Sequence, residues 1–220
     1  MKRENCLLII AGPSAVGKTT VAYELIKIDP RFEFVRSVTT RQRRGDSFDA
    51  EYIYITISEF RELIANGGVL EHTEYAGNFY GTPRAEVERI ISEGKIPLLV
   101  LDINGVGSLV RNAGDLSPCG VYVYDDLEVI RERLRLRFLG DNPTPEGQKK
   151  YESRISQNES DYLTIPDTAP RFHAFIANTG SVRNTAEAVN AVYRDFTLGA
   201  ERDSVNIERI AKHLSASVSK

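Results

Sequence analysis

Eight residues near the start of the chain, Gly12-Pro13-Ser14-Ala15-Val16-Gly17-Lys18-Thr19, have the types and spacing to hold a polyphosphate. The two glycines let the backbone curl so that several N–H groups point inward. The apolar run Leu7-Leu8-Ile9-Ile10-Ala11 precedes them, and Val21 to Ile28 follows at helical spacing. A strand, a glycine-bounded loop and a helix beginning near Gly17 is the setting a phosphate-binding loop requires. The helix start adds unpaired N–H donors and the positive end of a dipole. Lys18 can reach the β- and γ-phosphates, the Thr19 hydroxyl can bind Mg²⁺, and Thr20 follows in the same turn. A chance strand-to-helix turn would match the pattern but not both flanks. The loop implies a bound nucleoside triphosphate and leaves the reaction open.

Further chemistry-bearing residues are scattered along the chain. Ser37-Val38-Thr39-Thr40-Arg41-Gln42-Arg43-Arg44 sets guanidiniums after hydroxyls, which suits a second phosphate because Arg binds phosphate oxygens in pairs. By itself the run could equally be a solvated basic loop. Asp102 ends the apolar run Ile96 to Leu101, at the end of a buried strand where open α/β sheets bind ligands. Arg133 and Arg137 are four apart and share a helix face.

The elements that must position these residues alternate. Strands are expected at Leu7–Ala11, Phe32–Val38, Glu51–Thr56, Val69–Tyr75, Ile96–Leu101, Val121–Tyr124 and Phe172–Asn178. Helices are expected after the loop, from Ser58 as N-cap, from Thr82 as N-cap with Pro83 in the first position, from Asp125-Asp126, from about Lys149 to Tyr162, and from Val182 to Phe196. Gly140 to Gly147 is a loop of breakers. After Gly199 a polar tail carries Ile207, Ile210, Ala211 and Leu214 at helical spacing, which suits packing on the parent domain or a partner. The alternation predicts an α/β fold of the P-loop NTPase type, a parallel sheet flanked by helices. A small, mostly antiparallel module and a helical lid interrupt it. The expected core is 1–36, 81–136 and 165–198; the inserted module is 37–80, the lid 137–164 and the extension 199–220.

Composition bounds the rest. In 220 residues, 28 Lys and Arg face 31 Asp and Glu, a net charge of −3, which is no footprint for general nucleic-acid binding. An apolar share of 41% supplies a proper core. Cys6 and Cys119 lack metal-ligand spacing and read as core thiols of a reducing compartment. No run of residues is long enough to span a bilayer, so a cytoplasmic protein without membrane partners is expected.

Taken together, and in the same order up to about Thr197, these segments resemble the guanylate kinases. The family's Ser-x-x-Thr-Arg-x-x-Arg segment falls on Ser37 to Arg41 with Arg43 or Arg44 after it. Its strand tyrosine falls on Tyr52, and its guanine-reading Glu on Glu71. Its Gly-Asn-x-Tyr-Gly-Ser/Thr segment is Gly77-Asn78-Phe79-Tyr80-Gly81-Thr82. Its Arg-Leu-x-x-Arg lid entry is Arg133-Leu134-Arg135-Leu136-Arg137, its later lid Arg is Arg154, and its adenine-side Asn is Asn178.

The resemblance implies Mg²⁺-dependent transfer of the ATP γ-phosphoryl to GMP, by a monomer or homodimer. It places the loop 12–19 with Thr20, Arg133 and Asn178 on ATP. It places Ser37, Arg41, Arg43, Arg44, Tyr52, Glu71, Tyr80, Gly81, Thr82, Asp102 and Asn104 on GMP, and Thr19 and Asp102 on the metal. Lys18, Arg44, Arg137 and Arg154 would then be catalytic. Three departures stand out. Asp102-Ile103-Asn104 replaces Asp-x-Asp, with Val106 for the usual Gln. The loop from Arg41 to Tyr52 is one residue short, with Asp46 for the usual Glu. The lid is longer between Gly140 and Lys149. Two rival readings are a kinase of this fold with another acceptor and a non-catalytic interaction module of guanylate-kinase type. Members of the latter typically lose the P-loop that is intact here.

Overall fold

Leu7 to Ala11 are fully buried, as a central strand covered on both faces must be. They belong to β1 (Cys6–Ala11), the middle strand of a five-stranded, all-parallel sheet. Its order is β2 (Phe32–Phe34), β7 (Ile96–Leu101), β1, β8 (Ser117–Tyr124), β9 (Ala174–Ala177). Register pairs Ile9 with Leu99 on one side and with Gly120 on the other. The computed structural model describes residues 3–43, 52–75 and 77–218, so Arg44, Asp46 and Glu51 lie outside the described residues.

The helices are α1 (Lys18–Ile28), α2 (Ile57–Ala65), α3 (Arg84–Ser92), α4 (Ile103–Asn112), α5 (Leu127–Phe138), α6 (Pro145–Thr168), α7 (Val182–Thr197) and α8 (Ser204–Ser217). Helices α1 and α7 pack on each other, and α6 packs against both α5 and α8. Each buries one apolar stripe: Val21, Ala22 and Leu25 from α1, Val189, Tyr193 and Phe196 from α7.

A second sheet, in the order β4 (Tyr52–Tyr54), β3 (Ser37–Thr39), β6 (Asn78–Pro83), β5 (Val69–Tyr75), forms the inserted module. Its β3–β6 and β5–β6 pairs are antiparallel and its β3–β4 pair parallel. The threonine hydroxyls after Ser37 fasten this sheet. Thr39 Oγ1 donates to Phe79 O (3.0 Å), and Thr40 Oγ1 accepts from Phe79 N–H (2.9 Å).

Four local expectations are corrected. The single strand over Phe32–Val38 is two, because the chain leaves the large sheet at Val35 and enters the small one at Ser37. Thr82 and Pro83 do not start a helix. They close β6, paired with Glu71 and Val69, and α3 begins at Arg84 without a side-chain cap. Helix α2 is capped by Thr56 rather than Ser58: Thr56 Oγ1 accepts from Glu59 N–H (3.2 Å) and the Glu59 carboxylate accepts from Thr56 N–H (2.7 Å). Helix α6 begins at Pro145, with Thr144 as N-cap accepting from Gly147 N–H (3.0 Å), so the breaker loop ends sooner than expected. It also runs on past Tyr162 to Thr168. The tail forms α8, and Ile207, Ala211 and Leu214 are buried against the parent domain.

Candidate active site

The turn from β1 into α1 works only with glycine at its two ends. Gly12 has φ +149°, and a Cβ there would lie 2.1 Å from Val123 O. Gly17 is the N-cap of α1 at φ +101°, and a Cβ there would meet the Asn178 amide at 2.9 Å. Between them Ala15 takes a left-handed backbone, φ +65°. Lys18 Nζ donates to Gly12 O (2.7 Å) and Pro13 O (2.8 Å), so the lysine lies along the loop's own carbonyls. Burial pulls its ammonium down to about 8, against the carboxylates of Asp161 and Asp102, which favour the charged form.

A cavity of 370 Å³ opens over Ser14, Ala15, Gly17, Lys18, Thr19 and Thr20 and is closed by Arg133 and Arg137 of α5. Arg133 is ion-paired with Asp125 (2.9 Å), while Arg137 is exposed at the lid end of the helix. Beside it, a cavity of 320 Å³ reaches Asn178 and Gly180. The Asn178 amide is engaged at both ends: Nδ2 donates to Val16 O (2.8 Å) and Oδ1 accepts from Thr185 Oγ1 (2.8 Å). Its side chain thus holds the loop. Arg154 stands exposed on α6 and is close enough to Lys18 to disfavour the ammonium.

On the other side of Thr19 lies the inserted module. A cavity of 310 Å³ is lined by Ser37, Tyr52, Glu71, Tyr80, Gly81, Asp102 and Asn104, with His72, Gly105 and Ser108 among its other walls. Seven of the eleven residues assigned to GMP from sequence therefore share one cavity. Thr82 serves it from behind: its hydroxyl donates to Glu71 Oε1 (2.7 Å) and fixes the carboxylate. Burial pushes the Glu71 carboxyl up, and the Thr82 hydrogen bond opposes that. Arg41 and Arg43 stand over the tyrosines of β4. Arg41 donates to Tyr54 Oη (2.9 Å) and lies 5.3 Å from the Tyr52 ring; Arg43 lies 4.4 Å from the Tyr54 ring. Asp102 caps α4, accepting from Gly105 N–H (2.7 Å), and its carboxylate remains exposed beside the cavity. Val106, a departure from the family pattern, is fully buried in the core and has no face on the cavity. Gly81 is forced by packing, since a Cβ would come within 2.7 Å of Val69.

A third cavity of 260 Å³ joins the two sides, lined by Thr19 from the loop and by Ser37, Tyr52 and Thr82 from the module. Sequence reasoning missed Tyr54, which steadies two arginines, and Asn158 and Asp161 of α6. Asp161 is buried, held by Gln157 (2.8 Å), and its carboxyl is pushed up by that burial while Lys18 opposes the shift. A period of seven from Arg154 is the only sequence signal for it.

A phosphate loop, a basic helical flap and a carboxylate-floored second pocket, linked by a cavity that Thr19 and Ser37 both line, define a P-loop phosphotransferase with two substrate sites. Comparison with known proteins narrows the class. The family model described as guanylate kinase matches residues 4–192. The chain is 35% identical over 173 residues to a guanylate kinase of Lactobacillus delbrueckii, covering 76% of this chain and 79% of that one. It is 33% identical to one from Prochlorococcus marinus, covering 76% and 92%. The crystal structure of guanylate kinase from Anaplasma phagocytophilum superposes with a TM-score of 0.56 at 25% identity, covering 90% of this chain and 89% of that one. The chain belongs to the guanylate kinase family, and it is a nucleoside monophosphate kinase.

Proposed function

We propose that this kinase transfers the γ-phosphoryl of Mg·ATP to GMP, giving ADP and GDP, with the donor on the P-loop and the acceptor in the Glu71 cavity. The observation that carries the reading is the joining cavity, lined both by Thr19 of the donor loop and by Ser37 and Tyr52 of the acceptor module. An acceptor phosphate oxygen attacks the γ-phosphorus in line; its bond to phosphorus forms as the bond to the β,γ-bridging oxygen breaks, and ADP leaves. That oxygen is anionic near neutral pH, so no side chain needs to act as general base. The chain's task is alignment and charge stabilisation. Lys18 and the loop amides hold the donor phosphates. Arg41 and either Arg43 or Arg44, with Tyr52 and Tyr80, hold the acceptor phosphate. Arg137 and Arg154 approach with the lid and neutralise charge on the equatorial oxygens, and lid closure keeps water out. Arg133 and Asn178 support the adenine side. Glu71 accepts the side-by-side N1–H and N2–H₂ donors of guanine, with Thr82 orienting it, while Ser37, Gly81 and Asn104 complete the pocket. Adenine would leave the carboxylate unpaired.

The oxygen donors Thr19 and Asp102 fit a hard divalent cation that keeps water and phosphate oxygens, and among the described residues no cluster of three or more His, Cys, Asp or Glu competes with them. Bound there, Mg²⁺ supplies charge neutralisation at the β- and γ-phosphates. In this reading the expected division into core, acceptor module, lid (137–164) and extension (199–220) is kept, with the module carried from 80 to the end of β6 at Pro83 and the core resuming at Arg84. The enzyme is taken to work on small nucleotides in the cytoplasm as a monomer or homodimer, without a nucleic-acid partner. Among the described residues no helix is long and apolar enough to cross a membrane. The test is steady-state ADP release with Mg·ATP and each of GMP, dGMP, AMP, UMP and CMP. A strong preference for GMP is expected. Faster turnover of another acceptor would reassign the pocket around Asn104.

A further inference from the structure

Within the phosphate loop, Ala15 carries a side chain in the left-handed region, φ +65°, which L residues rarely adopt. Such a conformation persists when its surroundings over-determine it. Both of its neighbours are gripped by side-chain amides. On one side, Asn158 Oδ1 accepts from Ser14 N–H (2.7 Å) and Asn158 Nδ2 donates to Ser14 O (3.1 Å). On the other, Asn178 Nδ2 donates to Val16 O (2.8 Å). Asn158 is only 1% exposed, and its two bonds satisfy a peptide unit on each side of Ser14. It lies four residues after Arg154 and four before Tyr162, so the three share one face of α6. Tyr162 anchors that helix, its hydroxyl donating to Asp125 O (2.7 Å).

We propose that Asn158 is a positioning residue for the phosphoryl donor: it holds Ser14 so that Ala15 stays left-handed, and it ties the loop to the helix that carries Arg154. The inference rests on the reading of this loop as the ATP site. Without the amide, Ser14 is free to rotate, Ala15 relaxes to negative φ, and the inward N–H groups lose their common focus. Glycine at position 15 holds φ +65° without strain and makes the clamp less necessary.

The experiment measures Mg·ATP binding by calorimetry and both Michaelis constants for the unsubstituted enzyme, Asn158→Leu, Ala15→Gly and the double variant. Leucine keeps the branched shape, with somewhat more bulk, and removes both hydrogen bonds. Asn158→Leu is expected to weaken Mg·ATP binding about tenfold, the effect of losing one to two net hydrogen bonds, and to leave KM for GMP within about twofold. Adding Ala15→Gly is expected to recover most of that loss. Unchanged ATP binding in Asn158→Leu, or a double variant no better than Asn158→Leu, would reduce Asn158 to packing and overturn the proposal. If leucine prevents folding, Asn158→Ala with and without Ala15→Gly gives the same comparison, rescue supporting and its absence refuting. No Mg·ATP binding by the unsubstituted enzyme would sink the donor-site reading itself, and the clamp with it.

Discussion

Glu71 has one oxygen committed to Thr82 and the other beside Gly105, so the pocket floor offers a fixed pair of acceptors. Glutamine at this position keeps the shape but turns one acceptor into a donor, which then faces a guanine N–H. Glu71→Gln should therefore lower kcat/KM for GMP by about 10²-fold, the worth of a charged hydrogen bond plus a mismatched one. KM for ATP should be unchanged, and equal losses toward both nucleotides would refute a base-reading role. Residues of this kind were partly legible in the sequence. The P-loop shows itself because its function needs consecutive residues at fixed spacing. Glu71 shows itself only beside the Tyr80 segment. Tyr54 and Asn158 stay hidden, because what they do depends on which groups they meet after folding: two guanidiniums for Tyr54, and the backbone of Ser14, 144 residues away, for Asn158.

At the scale of elements, the crossing from β2 to β3 carries the chain from one sheet to the other, and an ion network marks it. Arg36 Nε donates to Glu86 Oε1 of α3 (2.7 Å), Arg89 binds the other Glu86 oxygen (3.0 Å) and Glu33 (2.7 Å), and Lys95 binds Glu33 as well. Burial raises the Glu86 carboxyl, but the two guanidiniums outweigh it and hold the group down at about 2. A depressed folded-state value means that this stabilisation is complete above about 4.5 and is lost as pH falls from there to about 2. Glu86→Gln should cost about 2 kcal/mol at pH 7 by urea unfolding, and the gap from the parent enzyme should narrow at pH 3. A gap independent of pH would show that the pair is inert.

Element starts illustrate the limits of local reading. Thr-Pro occurs at 82–83 and at 144–145, and it opens a helix only at the second. At the first, Thr82 gives its hydroxyl to Glu71 and its backbone to β5, so the cross-strand partner overrides the capping signal. The capping box of α2 was written in Thr56 and Glu59 all along, and Ser58 competed for the same reading.

At the scale of the molecule, the alternation of apolar runs foretold a parallel sheet with helices and an inserted module, and the order of its strands was not legible. Nothing local to Leu7–Ala11 says that its neighbours are β7 and β8. The tail is likewise resolved only in three dimensions: its stripe faces α6, the helix that bears Arg154 and Asn158. Ile207 is 4% exposed there, and Ile207→Ala should destabilise the whole enzyme by about 2–4 kcal/mol with an unchanged denaturant slope. A smaller loss, or a change in slope, would mean that α8 unfolds apart from the core.

The central place of β1 has a consequence for how the chain is made. The strand that leads into the phosphate loop leaves the ribosome before either of its sheet neighbours: Ile9 pairs with Leu99 and Gly120. At about 5–20 residues per second, the nascent chain carries this apolar segment unpaired for roughly 5–20 s. Contacts so distant in sequence also slow the closure of the sheet. The nucleotide site is thus begun first and finished late, and during synthesis its most apolar strand is a target for chaperones before any ATP can help hold it.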